Sequence, residues 1–279
     1  MKTNLNKIKL IAFDLDDTLL THKKVLTQEN FNALKNAADL GIQIVPATGR
    51  FWSAVPDSVK NLDFVNYAIA VNGAEIRDVK NNIAISKSEI PLQRALNIMR
   101  LLDDLPVIYD CIIDGKSYIA RKYYDLVENF ALDEIQLSML RNLRTPVDNF
   151  YEFVISKSSD VQKLQMFTLD YELRAKLLES FKIVFPENAI SSSVANNIEF
   201  NDKNAEKGLA LKKLSEILKI NLENTMSFGD GLNDISMIRN AGIGIAMNNA
   251  CSELKAIADY VTLSCDESGV AEGIKKFCL

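Results

Sequence analysis

The sequence predicts an α/β protein whose doubly wound parallel-sheet core is interrupted by an inserted α+β domain. The core is predicted because short, continuously apolar runs, typical of strands buried on both faces, alternate with amphipathic helical segments at both ends of the chain. The insert is predicted because this alternation gives way to a mixed pattern in the middle of the chain. We therefore expect a Rossmann-like core from residues 1–84 and 196–279, with the inserted domain at 85–195.

The N-terminal part of the core has the pattern of a strand–helix–strand unit. The apolar run IKLIAF (8–13) predicts a first strand, and residues 28–40 predict a helix for which Thr27 is a suitable N-cap. A second strand, IQIVPA (42–47), follows. The crossover in such a unit makes the two strands parallel, so we expect the residues that follow each strand to meet at one edge of the sheet.

Later segments extend these patterns. YAIAV (67–71) leads into a predicted β-hairpin, and the insert carries predicted helices over 91–105 and 121–132. After residue 205 the regular alternation of helices and strands resumes, with the apolar strand TMSF (225–228) directly before the loop GDGLND.

Composition excludes several classes of protein. The 279 residues carry 32 basic and 37 acidic side chains, a net charge of −5, so there is no basic surplus for binding a nucleic-acid polymer. No apolar stretch approaches the ~18 residues that span a bilayer. The four cysteines are too far apart to predict a zinc clamp or a disulfide scaffold, and His22 is the only histidine. We expect a cytoplasmic protein with reduced thiols, whose chemistry depends on carboxylates, lysine and hard metal ions.

The acidic cluster DLDDT (14–18) follows the first strand. The two-residue period of a strand sends the side chains of Asp14 and Asp16 to the same side. Two like charges ~4 Å apart repel by about 4 kcal/mol at an effective dielectric constant of about 20, so such a pair needs a cation or a proton between its members. Considered alone, the cluster is equally compatible with a solvated or helix-capping loop.

The loop GDGLND (229–234) strengthens the interpretation as a functional site. If the strands are parallel, Asp230 lies at the same sheet edge as Asp14, and Asp234 falls in the first turn of the next helix, where it also suits the helix dipole. Several carboxylates at one edge favour a hard divalent cation, and Mg²⁺ prefers carboxylate, phosphate and water oxygens. The predicted magnesium-site residues are Asp14, Asp16, Asp230 and Asp234.

Three further residues suit a phosphate. Thr48 and Gly49, after the second strand, supply a hydroxyl and an unobstructed backbone N–H. Lys207, near the start of a helix of the resumed core, supplies a compact positive charge, although an exposed helix lysine is the simpler interpretation of that residue in isolation. Arg50 would suit an anionic substrate, but its expected location is a solvated face.

Together, these segments resemble the four motifs of the haloacid dehalogenase superfamily of phosphatases. An α/β domain inserted between the second and third motifs is similar to the Cof-like subgroup with a type IIB cap. The resemblance extends over the whole chain and no motif position departs from the family pattern. The matching segments are DLDDT (14–18), Thr48-Gly49-Arg50, Lys207-Gly208 and GDGLND (229–234).

The resemblance implies a Mg²⁺-dependent hydrolase of small phosphomonoesters: sugar phosphates, nucleotides or phosphorylated cofactors. Asp14 would form a transient aspartyl-phosphate, and Asp16 would move the proton of the leaving alcohol and then of water. Mg²⁺ would be held by Asp14, the backbone carbonyl of Asp16 and Asp230, with Asp234 close by. The implied phosphoryl-binding residues are Thr48, Gly49, Lys207 and Asn233.

Other functions stay open at this stage. A signalling receiver domain also carries acidic residues, Thr and Lys at a sheet edge, but it needs neither the insert nor the GDGLND loop. A phosphotransferase or mutase acting on sugar phosphates, or a non-catalytic regulator that binds a phosphorylated ligand, would keep every motif. The expected partner is a small phosphorylated molecule, with no nucleic-acid polymer and no membrane, and the expected assembly is a monomer or weak homodimer.

Overall fold

The computed structural model describes residues 8–278. Its strands, in chain order, are β1 (Leu10–Phe13), β2 (Gln43–Pro46), β3 (Tyr67–Ala70), β4 (Glu75–Asp78), β5 (Ile83–Lys87), β6 (Ile108–Ile113), β7 (Lys116–Ala120), β8 (Arg144–Val147), β9 (Lys163–Phe167), β10 (Asn188–Ser191), β11 (Asn197–Asp202), β12 (Thr225–Gly229), β13 (Ile243–Ala246) and β14 (Tyr260–Val261). Its α-helices are α1 (Gln28–Asp39), α2 (Asp57–Lys60), α3 (Leu92–Asp103), α4 (Arg121–Tyr124), α5 (Glu134–Asn142), α6 (Phe150–Lys157), α7 (Tyr171–Val184), α8 (Lys207–Ile217), α9 (Ile235–Asn240), α10 (Ser252–Lys255) and α11 (Gly269–Cys278).

The chain forms two compact units. The first comprises the residues up to Arg50, Val55–Lys87, and the residues from Glu206 onward; the second comprises Phe51–Ala54 and Ser88–Ala205. The insert therefore extends beyond the expected end at residue 195, because β11 pairs antiparallel with β10 and β9 inside the sheet of the second unit. Among the described residues, no helix has the length and apolar character needed to cross a membrane.

A five-stranded, wholly parallel sheet organises the first unit, in the order β14-β13-β12-β1-β2. β1 is an interior strand between β12 and β2, and all four of its side chains are fully buried, which explains its uninterrupted apolar sequence. The predicted strand–helix–strand unit is confirmed: α1 begins after Thr27, whose side chain accepts a hydrogen bond from the backbone N–H of Asn30. A three-stranded antiparallel sheet, β3-β4-β5, contains the predicted hairpin.

The second unit is an α+β domain built on a six-stranded sheet in the order β10-β11-β9-β6-β7-β8. One face of this sheet is apolar and belongs to a hydrophobic core that includes Leu164, Met166 and Phe200. The opposite face carries buried polar side chains: Asp110 on β6 pairs in register with Gln165 on β9, which in turn is opposite Glu199 on β11. Strand alternation therefore separates an apolar face from a polar face.

One secondary-structure prediction for the insert is largely wrong. Residues 121–132 were expected to form a helix, but the chain makes only the single turn α4 and then a short 3₁₀ turn, Val127–Asn129. Tyr123 and Val127 are buried, which accounts for the apolar periodicity in the sequence. Tertiary packing thus buries these side chains without a continuous helix.

Candidate active site

The motif-bearing loops meet because β1 and β12 are neighbours. Phe13 is opposite Phe228 in the parallel register, so the residues that follow them, Asp14 after β1 and Gly229 at the end of β12, lie side by side. The backbone N–H of Asp14 donates to the carbonyl oxygen of Phe228 at 3.1 Å. Sheet topology thus brings the first and fourth motifs together at the carboxyl edge, as the sequence predicts.

Lys207 lies at the centre of this edge and is fully buried. Its Nζ donates to Oδ1 of Asp14 at 2.7 Å and to Oδ1 of Asp234 at 2.6 Å. The alternative interpretation of Lys207 as an exposed helix lysine is therefore wrong. Burial lowers the pKa of Lys207, but the charges of the two carboxylates outweigh this effect and raise the pKa above its ordinary value. The ammonium group thus stays charged inside the protein.

Lys207 reaches this position because α8 packs closely against α9. The next residue, Gly208, faces the backbone of α9 so closely that a Cβ atom there would lie 2.3 Å from the carbonyl oxygen of Ser236. The backbone N–H of Gly208 also donates to Oγ of Ser236 at 3.1 Å. Only glycine permits this approach, so the Lys-Gly motif has a packing reason as well as a chemical one.

Asp234 organises the turn that carries Asp230. Its Oδ2 accepts hydrogen bonds from the backbone N–H groups of Asp230 and Gly231, both at 3.0 Å, while its Oδ1 accepts from Lys207. A Cβ atom at Gly229 would lie 2.5 Å from Cβ of Asp234, which explains the first glycine of the loop. Asp234 thus combines the helix-terminal role and the site role that the sequence suggested.

Thr18 is a site residue that the sequence analysis did not identify. Its hydroxyl donates to Oδ1 of Asp230 at 2.6 Å, across 212 residues of sequence. Thr18 is fully buried and ends the DLDDT cluster. Its position within that cluster was the only signal available, since a threonine after a strand has no distinctive spacing of its own.

The acidic groups strongly perturb one another. Burial, and secondarily the neighbouring carboxylates, raise the pKa of Asp14 well above its ordinary value, although Lys207 opposes this shift. Burial and the charge of Asp234 raise the pKa of Asp230 to about 7. Both shifts come first from burial and then from neighbouring negative charge that one lysine does not balance.

This acidic group suits a hard cation. Oxygen atoms of Asp14, Asp230 and Asp234 lie within 4.8 Å of one another, and all three donors are carboxylates, the type that Mg²⁺ prefers. A divalent ion would also lower the raised pKa values of Asp14 and Asp230 by stabilising their ionised forms. The residues present therefore fit a hard divalent cation.

The side chain of Asp16 lies outside this acidic group. Its two oxygens accept from Nε and Nη2 of Arg50, each at 2.7 Å, and Nζ of Lys24 lies 3.3 Å from Oδ1. Burial raises the pKa of Asp16, but the hydrogen bonds and charge of Arg50 outweigh it, and the pKa is lowered. Two basic side chains, Arg50 and Lys24, thus face Asp16.

The prediction for Arg50 is also wrong. Arg50 was expected on a solvated face, yet its side chain is only 12% exposed, because Asp16 provides a bidentate partner. Its position directly after Thr48-Gly49, at the end of β2, was the available signal.

Three of the four predicted phosphate-binding residues, Thr48, Gly49 and Asn233, lie around Asn72. Thr48 is buried, and its carbonyl oxygen accepts from the backbone N–H of Asn72 at 2.9 Å. Nδ2 of Asn233 donates to Oδ1 of Asn72 at 3.2 Å. A Cβ atom at Gly49 would lie 2.9 Å from that same oxygen. Asn72 thus connects the second and fourth motifs, although an Asn-Gly pair after a strand predicts only a turn.

Comparison with known proteins agrees with this geometry. A family profile described as haloacid dehalogenase-like hydrolase matches residues 11–274. Phosphatase YwpJ of Bacillus subtilis (strain 168) is 33% identical over 96% of this chain and 99% of its own length. From the same organism, 5-amino-6-(5-phospho-D-ribitylamino)uracil phosphatase YcsE is 30% identical over 98% of this chain and 96% of its own length.

Solved structures extend the likeness to the whole fold. A haloacid dehalogenase-like hydrolase from B. subtilis superposes with a TM-score of 0.85 at 31% identity, covering 96% of this chain and 99% of that one. The subclass IIB sugar phosphatase BT4131 superposes with a TM-score of 0.81 at 26% identity, covering 96% of this chain and 98% of that one. This chain therefore belongs to the haloacid dehalogenase superfamily, in its Cof-like group with a type IIB cap, and is a phosphatase.

Proposed function

We propose that the protein hydrolyses small-molecule phosphomonoesters with Mg²⁺, through an aspartyl-phosphate on Asp14. The observation that carries this proposal is the position of the Asp14 carboxylate. It accepts a hydrogen bond from buried Lys207 and lies within 4.8 Å of the carboxylates of Asp230 and Asp234. A nucleophilic carboxylate must be ionised, and Lys207 together with a divalent cation supplies the opposing charge.

The proposed reaction has two steps. An oxygen of Asp14 forms a bond to phosphorus while the bond from phosphorus to the substrate alcohol breaks, and Asp16 gives a proton to the departing oxygen. Asp16 then takes a proton from water, whose oxygen attacks phosphorus and releases Asp14 with inorganic phosphate. Asp16 thus regains in the second step the proton that it gave in the first, and the phosphoryl group leaves as inorganic phosphate.

Asp16 must change partners to perform these steps. Held by Arg50, it is ionised and its pKa is lowered, so in this arrangement it is a poor proton donor. The first step therefore requires Asp16 to separate from Arg50. Rotation of an aspartate side chain on a loop residue suffices for such a change.

The remaining motif residues would hold the phosphoryl group and the ion. Thr48, Gly49, Lys207 and Asn233 would contact the phosphoryl oxygens, since they offer hydroxyl, backbone N–H, ammonium and amide donors. Mg²⁺ would be held by Asp14, the backbone carbonyl of Asp16 and Asp230, with Asp234 close by. When bound, it would offset negative charge that develops in phosphoryl transfer.

The substrate class is proposed from the relatives and from the family resemblance. Relatives named for their substrates act on 5-amino-6-(5-phospho-D-ribitylamino)uracil and, for YbhA of Escherichia coli (strain K12) at 28% identity, on pyridoxal phosphate. BT4131 is named a sugar phosphatase. We therefore propose sugar phosphates, nucleotides or phosphorylated cofactors as substrates. The cytoplasmic location and the monomeric or weakly dimeric state stay predictions of the sequence.

Asp14→Asn tests the proposal most directly. We expect it to abolish release of inorganic phosphate from a panel of phosphorylated metabolites at saturating Mg²⁺, because the amide is a poor nucleophile. Asp39→Asn, at an exposed residue of α1, is the matched control and should retain wild-type rates. Wild-type-like release by Asp14→Asn would contradict the mechanism. Transfer of phosphate to another sugar, without release to water, would favour the mutase alternative, and binding without turnover the regulator.

A further inference from the structure

A second group of potential metal ligands lies outside the all-carboxylate site. Ligand atoms of Asp17, His22 and Cys265 are within 4.8 Å of one another. Sγ of Cys265 is 3.4 Å from Nδ1 of His22, although the two residues are 243 positions apart in sequence. The group combines sulfur, imidazole nitrogen and carboxylate oxygen, the ligand types of zinc sites.

Asn249 ties together the two segments that carry these residues. Its Oδ1 accepts from the backbone N–H of Cys265 at 2.9 Å, and its Nδ2 donates to the carbonyl oxygen of Asp17 at 2.7 Å. Cys265 is fully buried at the start of a short 3₁₀ turn that the preceding Ser264 caps. The sulfur and the carboxylate are therefore attached to backbone that is already held in position.

Asp266 positions the imidazole. Its Oδ1 accepts from the backbone N–H of His22 at 3.1 Å, and its Oδ2 lies 2.8 Å from Nδ1 of the ring. A carboxylate bonded to a histidine ring is the usual partner of a metal-ligating histidine, because it fixes the ring orientation and makes the imidazole a better ligand. Here the same carboxylate holds both the backbone and Nδ1 of His22, which leaves Nε2 as the nitrogen that would bind an ion.

The separations suit a tetrahedral ion. Zinc bonds of ~2.3 Å to sulfur and ~2.0–2.2 Å to nitrogen and oxygen put neighbouring ligand atoms roughly 3.4–3.6 Å apart. The ligand atoms of Asp17, His22 and Cys265 already lie within 4.8 Å of one another, so a shift of about 1 Å brings them to this spacing. The side chain of His22 is 58% exposed, so it is free of the packing that would oppose a small adjustment around an ion.

We propose that Asp17, His22 and Cys265 form a second cation site that takes Zn²⁺ or a similar borderline transition-metal ion, with water as the fourth ligand. The thiol proton leaves to solvent as the sulfur–metal bond forms. The carboxylate of Asp17, which Nζ of Lys24 approaches to 3.1 Å, is shared between that ammonium and the ion. Thiolate and imidazole distinguish this site from the Asp14 group, whose donors are all hard oxygens.

Cobalt(II) provides the probe, because only a thiolate ligand produces sulfur-to-cobalt charge-transfer absorption. The full-length protein is freed of metal with EDTA, exchanged into buffer with saturating Mg²⁺ to fill the hard site, and titrated with Co²⁺. We expect a charge-transfer band that saturates at one Co²⁺ per chain and disappears when Zn²⁺ is added. Absence of this band in the wild-type protein overturns the proposal.

Variants assign the band to its residues. Cys265→Ser should abolish it, whereas Cys278→Ser, at a half-buried cysteine of α11, should leave it unchanged. Persistence of the band in folded Cys265→Ser overturns the proposal. His22→Gln, at an exposed residue, keeps the test decisive if Cys265→Ser folds poorly: Co²⁺ affinity should fall at least about 10-fold, and unchanged affinity contradicts the site.

Asp266→Asn tests the positioning role. The amide still bonds the imidazole but no longer carries the charge that strengthens it, so we expect Co²⁺ affinity to fall by roughly 10- to 100-fold while the charge-transfer band keeps its position. Unchanged affinity in this variant contradicts the part assigned to Asp266. Circular dichroism of each variant confirms that the fold is retained.

Discussion

Asp14 and Asp16 are two residues apart on one loop, yet the protein treats them in opposite ways. Asp14 is buried beside one lysine and two further carboxylates, and its pKa is raised; Asp16 is 31% exposed beside Arg50 and Lys24, and its pKa is lowered. Both are first of all desolvated, so burial alone does not explain the difference. The balance of neighbouring charges decides it, with excess negative charge around Asp14 and excess positive charge around Asp16.

This contrast separates two kinds of ion pair. Lys207 and Asp234 are both fully buried, so removing one partner leaves an uncompensated charge in a medium that solvates it poorly. In the second pair Asp16 is 31% exposed and keeps Lys24 beside it, so solvent and Lys24 compensate part of its charge when Arg50 is removed. We therefore expect large effects on stability from the first pair and small ones from the second.

Lys207→Met should have the largest effect. It leaves the carboxylates of Asp14 and Asp234 buried without their cation, so we expect the free energy of unfolding to fall by about 3–5 kcal/mol, with loss of phosphatase activity. Urea unfolding measures the first quantity and phosphate release the second. Lys213→Met, at an exposed residue of the same helix, should change stability by less than about 0.5 kcal/mol. A loss below about 1 kcal/mol in Lys207→Met would show that the buried pair is dispensable.

When metal is removed, the raised pKa of Asp230 should make the free energy of unfolding depend on pH. In EDTA the folded state binds the Asp230 proton with a pKa of about 7, against an ordinary value of 3.8. Between these values the folded state holds more protons than the unfolded state, so this group makes the free energy of unfolding fall as pH rises from 3.8 to about 7. Denaturant unfolding at a series of pH values measures this fall in the free energy of unfolding.

Asp230→Asn is the control for that measurement. It should make the fall shallower, since the amide does not titrate and the raised pKa of Asp14 still contributes in the same direction. The amide keeps an oxygen that can accept from Thr18. Added Mg²⁺ should likewise reduce the slope in the wild-type protein, because a cation stabilises the ionised carboxylates. Identical slopes in the wild-type and variant proteins would assign the pH dependence to other groups.

Arg50→Met should have the smallest effect on stability, about 1 kcal/mol or less, because its pair with Asp16 is partly screened by solvent. The pKa of Asp16 should rise, since burial then acts with only Lys24 opposing it. Carboxyl ¹³C NMR titration of the metal-free protein measures this shift, and Arg50→Lys, which keeps the charge but loses the bidentate geometry, should give an intermediate value. An unchanged titration midpoint in Arg50→Met would mean that Arg50 does not control Asp16.

Much of the site could be predicted because parallel topology constrains strand ends. Two apolar runs separated by a helix predicted neighbouring parallel strands, and the pairing of β1 with β12 placed Asp14 beside the GDGLND loop as expected. The positions of Lys207 and Asp234 at helix starts next to that edge made them candidates, and the folded chain brings both beside Asp14. These predictions depended on chain direction and period, which are properties of sequence.

The residues that were missed lack such local signals. Thr18, Asn72 and Arg50 act through partners far along the chain, and their own neighbourhoods predict only a loop, a turn and a solvated charge. The helix prediction for residues 121–132 failed for a related reason. The apolar periodicity of these residues reflects burial, and burial does not specify a continuous helix. Long-range contacts decided each case.

The sequence by itself determined the parallel core, the order of the motifs and the chemical types gathered at one sheet edge, because strand period and crossover handedness are encoded locally. Only the tertiary structure decided which charge each carboxylate faces: Lys207 and two acids for Asp14, Arg50 for Asp16, and a cysteine and a histidine beside Asp17. Electrostatic energy depends on distance and burial rather than on separation along the chain, so these partnerships exist only in the folded protein.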